Sequence, residues 1–120
     1  MRTFEFMKKL IKGFGYAFKG IGYAASTQLN FRVHLFAMVI AIGLGFYLHI
    51  STAEWCWIIA CIAAVLITEL LNTAIEILVD LVSPDYHVKA GHIRDVSAAA
   101  VLITAIFAAI VGAIIFIPKF

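Results

Sequence analysis

The chain has 120 residues; 64% are hydrophobic, 13% are charged, and the formal net charge is +2. Soluble chains average about 45–50% apolar and about 25% charged residues, and a single domain of this size cannot hide such an excess of apolar surface in its own core. The composition therefore excludes an ordinary soluble domain and points to an all-α integral membrane protein; with a charge this close to neutral, no nucleic-acid partner is expected.

Residues 1–30 read as an amphipathic helix. Phe6, Met7, Leu10, Ile11, Phe14, Phe18 and Ile21 fall on one side, and Lys8, Lys12 and Lys19 on the other. This pattern suits a helix lying in the membrane interface with its lysines among lipid phosphates. Gly13, Gly15, Gly20 and Gly22 argue against an unbroken helix. No signal peptide is expected, because the lysines and aromatics alternate without a clean apolar run.

Three apolar spans follow, at about 33–50, 55–82 and 96–117. Crossing a hydrocarbon core of about 30 Å takes roughly 20 helical residues, and the first span is the shortest. Ser51-Thr52-Ala53-Glu54 is a short turn in which Ser51 or Thr52 can cap the next helix, with Glu54 in its first turn. The connection from about Ser83 to Asp95 is polar and holds Pro84, Asp85, His87, Lys89, His92 and Arg94. Lys and Arg concentrate in the N-terminal segment and in this second connection, which two spans place on the same side. The positive-inside rule makes that side, and the N-terminus, cytoplasmic; the C-terminus with Lys119 lies on the far side. Trp55, Trp57 and Tyr47 flank the outer turn as interface anchors. Gly43 and Gly45 suggest close helix packing, and Asp95 is a candidate N-cap for the third span. Arg32 can bind a lipid phosphate or anchor the span end by snorkelling.

The second span carries the chemistry. Within VLITELLNTAIEILVD, Glu69, Asn72, Glu76 and Asp80 follow at steps of 3, 4 and 4. At about 100° per residue they share one stripe roughly 80° wide. A carboxylate at the centre of a membrane helix costs about 2.5–3.5 kcal/mol even on lenient scales, and ionisable groups kept in such a place are candidate functional residues. Charges of both signs gather at this end, with Arg94-Asp95 opening the third span and Arg32 and His34 the first. Phosphoryl transfer fits these parts: Glu76 and Asp80 to hold metal, Arg94 and Lys89 to hold phosphate, and Glu69 to take a proton from a lipid hydroxyl. Ion transport along the same stripe fits equally well. GFGYAFKG lacks the final Lys-Ser/Thr of a phosphate loop, and neither the histidines nor Cys56 and Cys61 match a zinc spacing.

The segments ELLNTAIEILVD, SPDYH and RDVSAAAVLI, with GYAFKG and NFRVH nearer the N-terminus, resemble the small prokaryotic diacylglycerol kinase family, which includes undecaprenol kinases. The resemblance covers nearly the whole chain. It implies one membrane lipid kinase domain over residues 1–120, a homotrimer of three-span subunits with shared active sites, and an interfacial N-terminal helix in a bacterial inner membrane. It also implies ATP as co-substrate with Mg2+, and transfer to a lipid alcohol, undecaprenol in preference to diacylglycerol on the strength of NFRVH. Residue by residue, it implies Glu69 as general base and Asn72 beside it in the catalytic stripe. Glu76 is implied as metal ligand, and Lys9, Tyr16, Asp80, Asp85, Tyr86, His87, Arg94 and Asp95 as nucleotide contacts. Two positions depart from the family's pattern. Gln28 stands where a Glu is the usual second metal ligand, which implies weaker metal binding, and Arg94 stands where Lys is usual. A weakened kinase homologue, or a transporter or structural subunit built on the same stripe, is the alternative.

Overall fold

A computed structural model of the chain describes residues 2–85 and 87–120. Four helices follow one another: α1 (Arg2–Thr27), α2 (Leu29–Tyr47), α3 (Thr52–Val82) and α4 (Val88–Phe116), closed by a short 3-10 turn at Ile117–Lys119. There is no strand among the described residues. The helices from α2 onward are long and apolar enough to cross a membrane. Only 11%, 28% and 6% of the most apolar windows of α2, α3 and α4 are buried within the chain, so most of their apolar surface needs lipid or another subunit to cover it.

The 31-residue α3 is the central post. It packs along α4 most extensively, along α2 less, and only lightly on α1. The extents of the molecule, 50 × 49 × 21 Å, are those of a slab; parallel helices alone would give one long axis, and α1 supplies the second. The four glycines do not interrupt α1.

One extended residue, Gln28, separates α1 from α2 (φ −109, ψ 112). The break has a local cause. Ser26 and Thr27 turn their hydroxyls back onto the Tyr23 carbonyl at 3.0 and 2.7 Å, competing with the helix for its acceptors. Arg32 then reaches back from α2, its Nη1 lying 3.3 Å from the Ser26 carbonyl and 3.5 Å from that of Ala25. A cation at the negative end of α1 is electrostatically favoured, so Arg32 anchors the joint between the helices.

At the opposite end α2 stops in a tight turn. His49 adopts φ 53, a left-handed conformation that His tolerates better than branched residues do. Ser51 opens α3 with a full capping box: its Oγ accepts from the Glu54 backbone at 3.2 Å, and its backbone donates to Glu54 Oε1 at 2.9 Å. The Lys119 ammonium lies 3.3 Å from the same carboxylate. Trp55 folds over Gly45, where a Cβ would meet its ring at 2.7 Å, and stacks at a tilt on Phe46 with ring centres 4.9 Å apart. Ile50, Ile58 and Ile115 form the core beside it.

Two further expectations change. A methyl group placed on Gly43 would meet nothing within 4 Å, so within the chain only Gly45 of the pair permits close approach. Asp95 does not cap α4: the helix starts about two turns earlier, and the cap is His87, whose Nδ1 accepts from the Lys89 backbone at 3.1 Å.

Candidate active site

The stripe sits on the half of α3 away from the capping box. Glu69 is 2% exposed, the most deeply buried charged residue among those described. The neighbouring turn is tied down by Thr73, whose hydroxyl donates to the Glu69 carbonyl at 2.9 Å. Across the helix interface, His34 Nε2 of α2 lies 3.1 Å from Glu69 Oε1. That is pairing distance, but the ring is not aligned to donate, and the oxygen is left without a hydrogen bond. Burying a carboxylate costs several kcal/mol per ion even after relaxation, and buried polar atoms are nearly always bonded. An unbonded Glu69 oxygen is therefore costly to the fold and available to an incoming donor.

Asn72, one turn further on, repeats the pattern. Its Nδ2 donates to Glu76 Oε1 at 3.2 Å, while its buried Oδ1 has no partner. The stripe thus presents two unmet buried acceptors at adjacent turns. Donors that close on them, from a substrate or from a neighbouring side chain, meet that need. Glu76, with one oxygen held by Asn72, retains most of its capacity, since an ionised carboxylate accepts at about four lone-pair sites.

Asp80, last on the stripe, pairs with Arg94 of α4. Both side chains are well exposed, at 67% and 45%. Such a pair contributes about 0–1 kcal/mol, so a phosphate can displace Asp80 from the guanidinium at little cost. Between the stripe and the far end, Thr68 and Thr104 bond across α3 and α4 at 2.9 Å.

The remaining sequence-derived candidates lie around this centre. Gln28 is at the α1–α2 joint, bonded through its backbone N–H to the Ala24 carbonyl at 2.9 Å. The end of α1 there faces Thr73, Ala74 and Ile77 of α3 across a shallow groove. Lys9 and Tyr16 are exposed on α1, with the Lys19 ammonium 5.9 Å above the Tyr16 ring. Asp85 and Asp95 are exposed, and His87 caps α4. Among the described residues no hydrogen bond or ion pair joins these to the stripe; Tyr86 lies outside the described residues.

No group of three His, Cys, Asp or Glu side chains is placed to hold a metal among the described residues. That excludes a closed cage there, but Mg2+ is ordinarily held by one or two carboxylates, water and substrate phosphates. By their chemistry the donors here suit that open form, although no contact among the described residues joins Gln28 to Glu76. Glu76 keeps a free carboxylate face, and Gln28, whose amide nitrogen donates to Thr27 Oγ1 at 3.4 Å, keeps its carbonyl oxygen.

Sequence reasoning placed His34 at the head of α2 without giving it a partner. The signal was present: a histidine in an apolar span needs a polar neighbour, and Glu69 is the deepest carboxylate of the stripe.

Fold and site define a small membrane protein in which the central helix of three spans carries a polar stripe whose inner part, Glu69 and Asn72, holds buried acceptors without a hydrogen bond. The chain belongs to the prokaryotic diacylglycerol kinase family, whose model matches residues 15–116. It is 37% identical to the undecaprenol kinase of Bacillus subtilis over 113 residues, covering 94% of this chain and 92% of that one. It is 42% identical to a diacylglycerol kinase of Synechocystis over 110 residues, 91% of this chain and 63% of that longer one. The diacylglycerol kinase of Escherichia coli is 34% identical over 107 residues, 89% and 88% of the two chains.

Proposed function

We propose that this chain phosphorylates the hydroxyl of a membrane lipid at the expense of ATP. The observation that carries the reading is the Glu69 carboxylate, 2% exposed and with an oxygen lacking any hydrogen bond, in a chain of this family. Glu69 accepts the proton of the lipid hydroxyl as the hydroxyl oxygen attacks the γ-phosphorus. The bond from that phosphorus to the β-phosphate oxygen breaks, ADP leaves, and Glu69 then releases its proton to water. Asn72 Oδ1 accepts from donors at the acceptor side, and its Nδ2 holds Glu76 in place. Glu76 and Gln28 hold Mg2+, which when bound screens the phosphate charge. Arg94, released from Asp80, binds a phosphate oxygen; Lys9, Tyr16, Asp85, Tyr86, His87 and Asp95 line the nucleotide.

On this reading α1 lies on the cytoplasmic face of the inner membrane, apolar side down, with the N-terminus cytoplasmic and the C-terminus across the membrane. Three copies assemble, which covers the apolar faces that the single chain leaves open, and neighbouring subunits share each site. Undecaprenol is the favoured acceptor, supported by NFRVH and the Bacillus subtilis relative; the 42% identity to a diacylglycerol kinase keeps diacylglycerol as the second.

The test is transfer of label from ATP, with magnesium, to undecaprenol or diacylglycerol in mixed micelles, with Glu69→Gln as control. Label entering one lipid and lost in the control is expected, and names the acceptor. A folded, trimeric protein that labels neither would overturn the reading in favour of a degenerate kinase or a non-enzymatic subunit.

A further inference from the structure

His34 takes no part in the phosphoryl transfer itself, yet it is the residue that meets Glu69. It lies in the second turn of α2, and its side chain is 22% exposed where that of Glu69 is 3%. On its other side is an apolar groove between α2, α3 and α4, walled by Ala37, Ala41, Val65, Ala105 and Ala108. His34 is the one strongly polar side chain lining that groove among the described residues. With hydrocarbon on one side and Glu69 at 3.1 Å on the other, the imidazole has no competing polar neighbour there. The oxygen it approaches is still unbonded. Hydrogen bonds that serve catalysis are commonly misaligned in an empty site and tighten when substrate arrives.

We propose that His34 is a positioning residue for the acceptor step. Its Nε2–H closes onto Glu69 Oε1, fixes the rotation of the carboxylate, and so leaves Oε2 to take the proton of the lipid hydroxyl. This rests on the reading of Glu69 as the base. A carboxylate whose Oε1 has no donor lacks a hydrogen bond to fix its rotation, and a misplacement of about 1 Å at the reacting atoms costs on the order of 100-fold in rate. One donor at a fixed place removes that freedom without consuming the second oxygen.

The experiment uses the full chain in mixed micelles, with undecaprenol and in parallel diacylglycerol as acceptor. His34→Leu, which keeps the volume and removes the donor, should lower kcat about 10- to 100-fold and leave the KM for ATP within about two-fold. His34→Gln, whose amide nitrogen reaches near the Nε2 position, should recover most of the rate; His34→Asn, one bond shorter, should not. A His34→Leu protein that turns over like the parent overturns the proposal. So does a loss that falls on the KM for ATP, or a His34→Gln variant no better than the Leu and Asn variants. If His34→Leu does not fold, the Gln and Asn variants decide. Glu69→Gln, assayed beside them, separates the two readings: full turnover there removes the base and this role with it, whereas an inactive Glu69→Gln with a normal His34→Leu removes the role of His34 alone. No label in either lipid from the folded parent overturns both.

Discussion

The two halves of α3 are built to different rules. At the end that opens on Ser51, polar groups are matched: the capping box pairs Ser51 with Glu54, Lys119 reaches the same carboxylate, and Trp55 fills the space over Gly45. In the other half, Glu69 Oε1 and Asn72 Oδ1 are buried without a hydrogen bond, although Asp80 nearer the tip pairs with Arg94. A fold selected for stability alone would have apolar residues at those two positions. The matched end holds the bundle together, and the unmatched end keeps acceptors ready for a substrate. Stability and activity should therefore separate along a single helix.

The sharpest test of that separation is Glu69→Gln. Activity should fall by about 100- to 10,000-fold, the range for a lost general base, while the thermal unfolding temperature stays level or rises because a buried charge is gone. A coincident fall in stability would show that Glu69 is a structural member. Gly45→Val is the mirror image. A side chain there meets the Trp55 ring, so stability should drop by about 1–3 kcal/mol, read by denaturation in micelles, with the turnover of the folded fraction unchanged. Ser51→Ala should cost about 1 kcal/mol through the lost cap, again without touching turnover.

The boundary between the ends can be probed as well. Thr104→Val removes the bond to Thr68. Interhelical hydrogen bonds in membranes average about 0.6 kcal/mol, so the effect should be just measurable. Gln28→Glu should lower the magnesium needed for half-maximal activity. An unchanged magnesium curve would remove Gln28 from the metal site.

Much of this was legible in the sequence, for reasons that can be named. Apolar runs of this length have few alternatives to spanning helices, and the Ser51-to-Glu54 spacing carries its own hydrogen-bond pattern. The stripe was legible because helical periodicity fixes which residues of one helix share a face. What one helix shows another is set by their relative rotation, and periodicity is silent on that. The contact of His34 with Glu69, the bond of Thr68 with Thr104 and the reach of Arg32 to α1 all fall in this class. Asp95 marks where the apolar stretch begins, not where the helix does; α4 forms its first turns in the polar segment from Val88.

The joint at Gln28 carries a mechanical consequence. A long flexible linker would have slack; a single extended residue, clasped by Arg32, has almost none. Tilting α2 to suit a thinner or thicker bilayer therefore swings α1, a lever about 39 Å long at 1.5 Å per residue. A change in the thickness of the surrounding lipid would in this way reach the angle of the first helix and the position of Gln28.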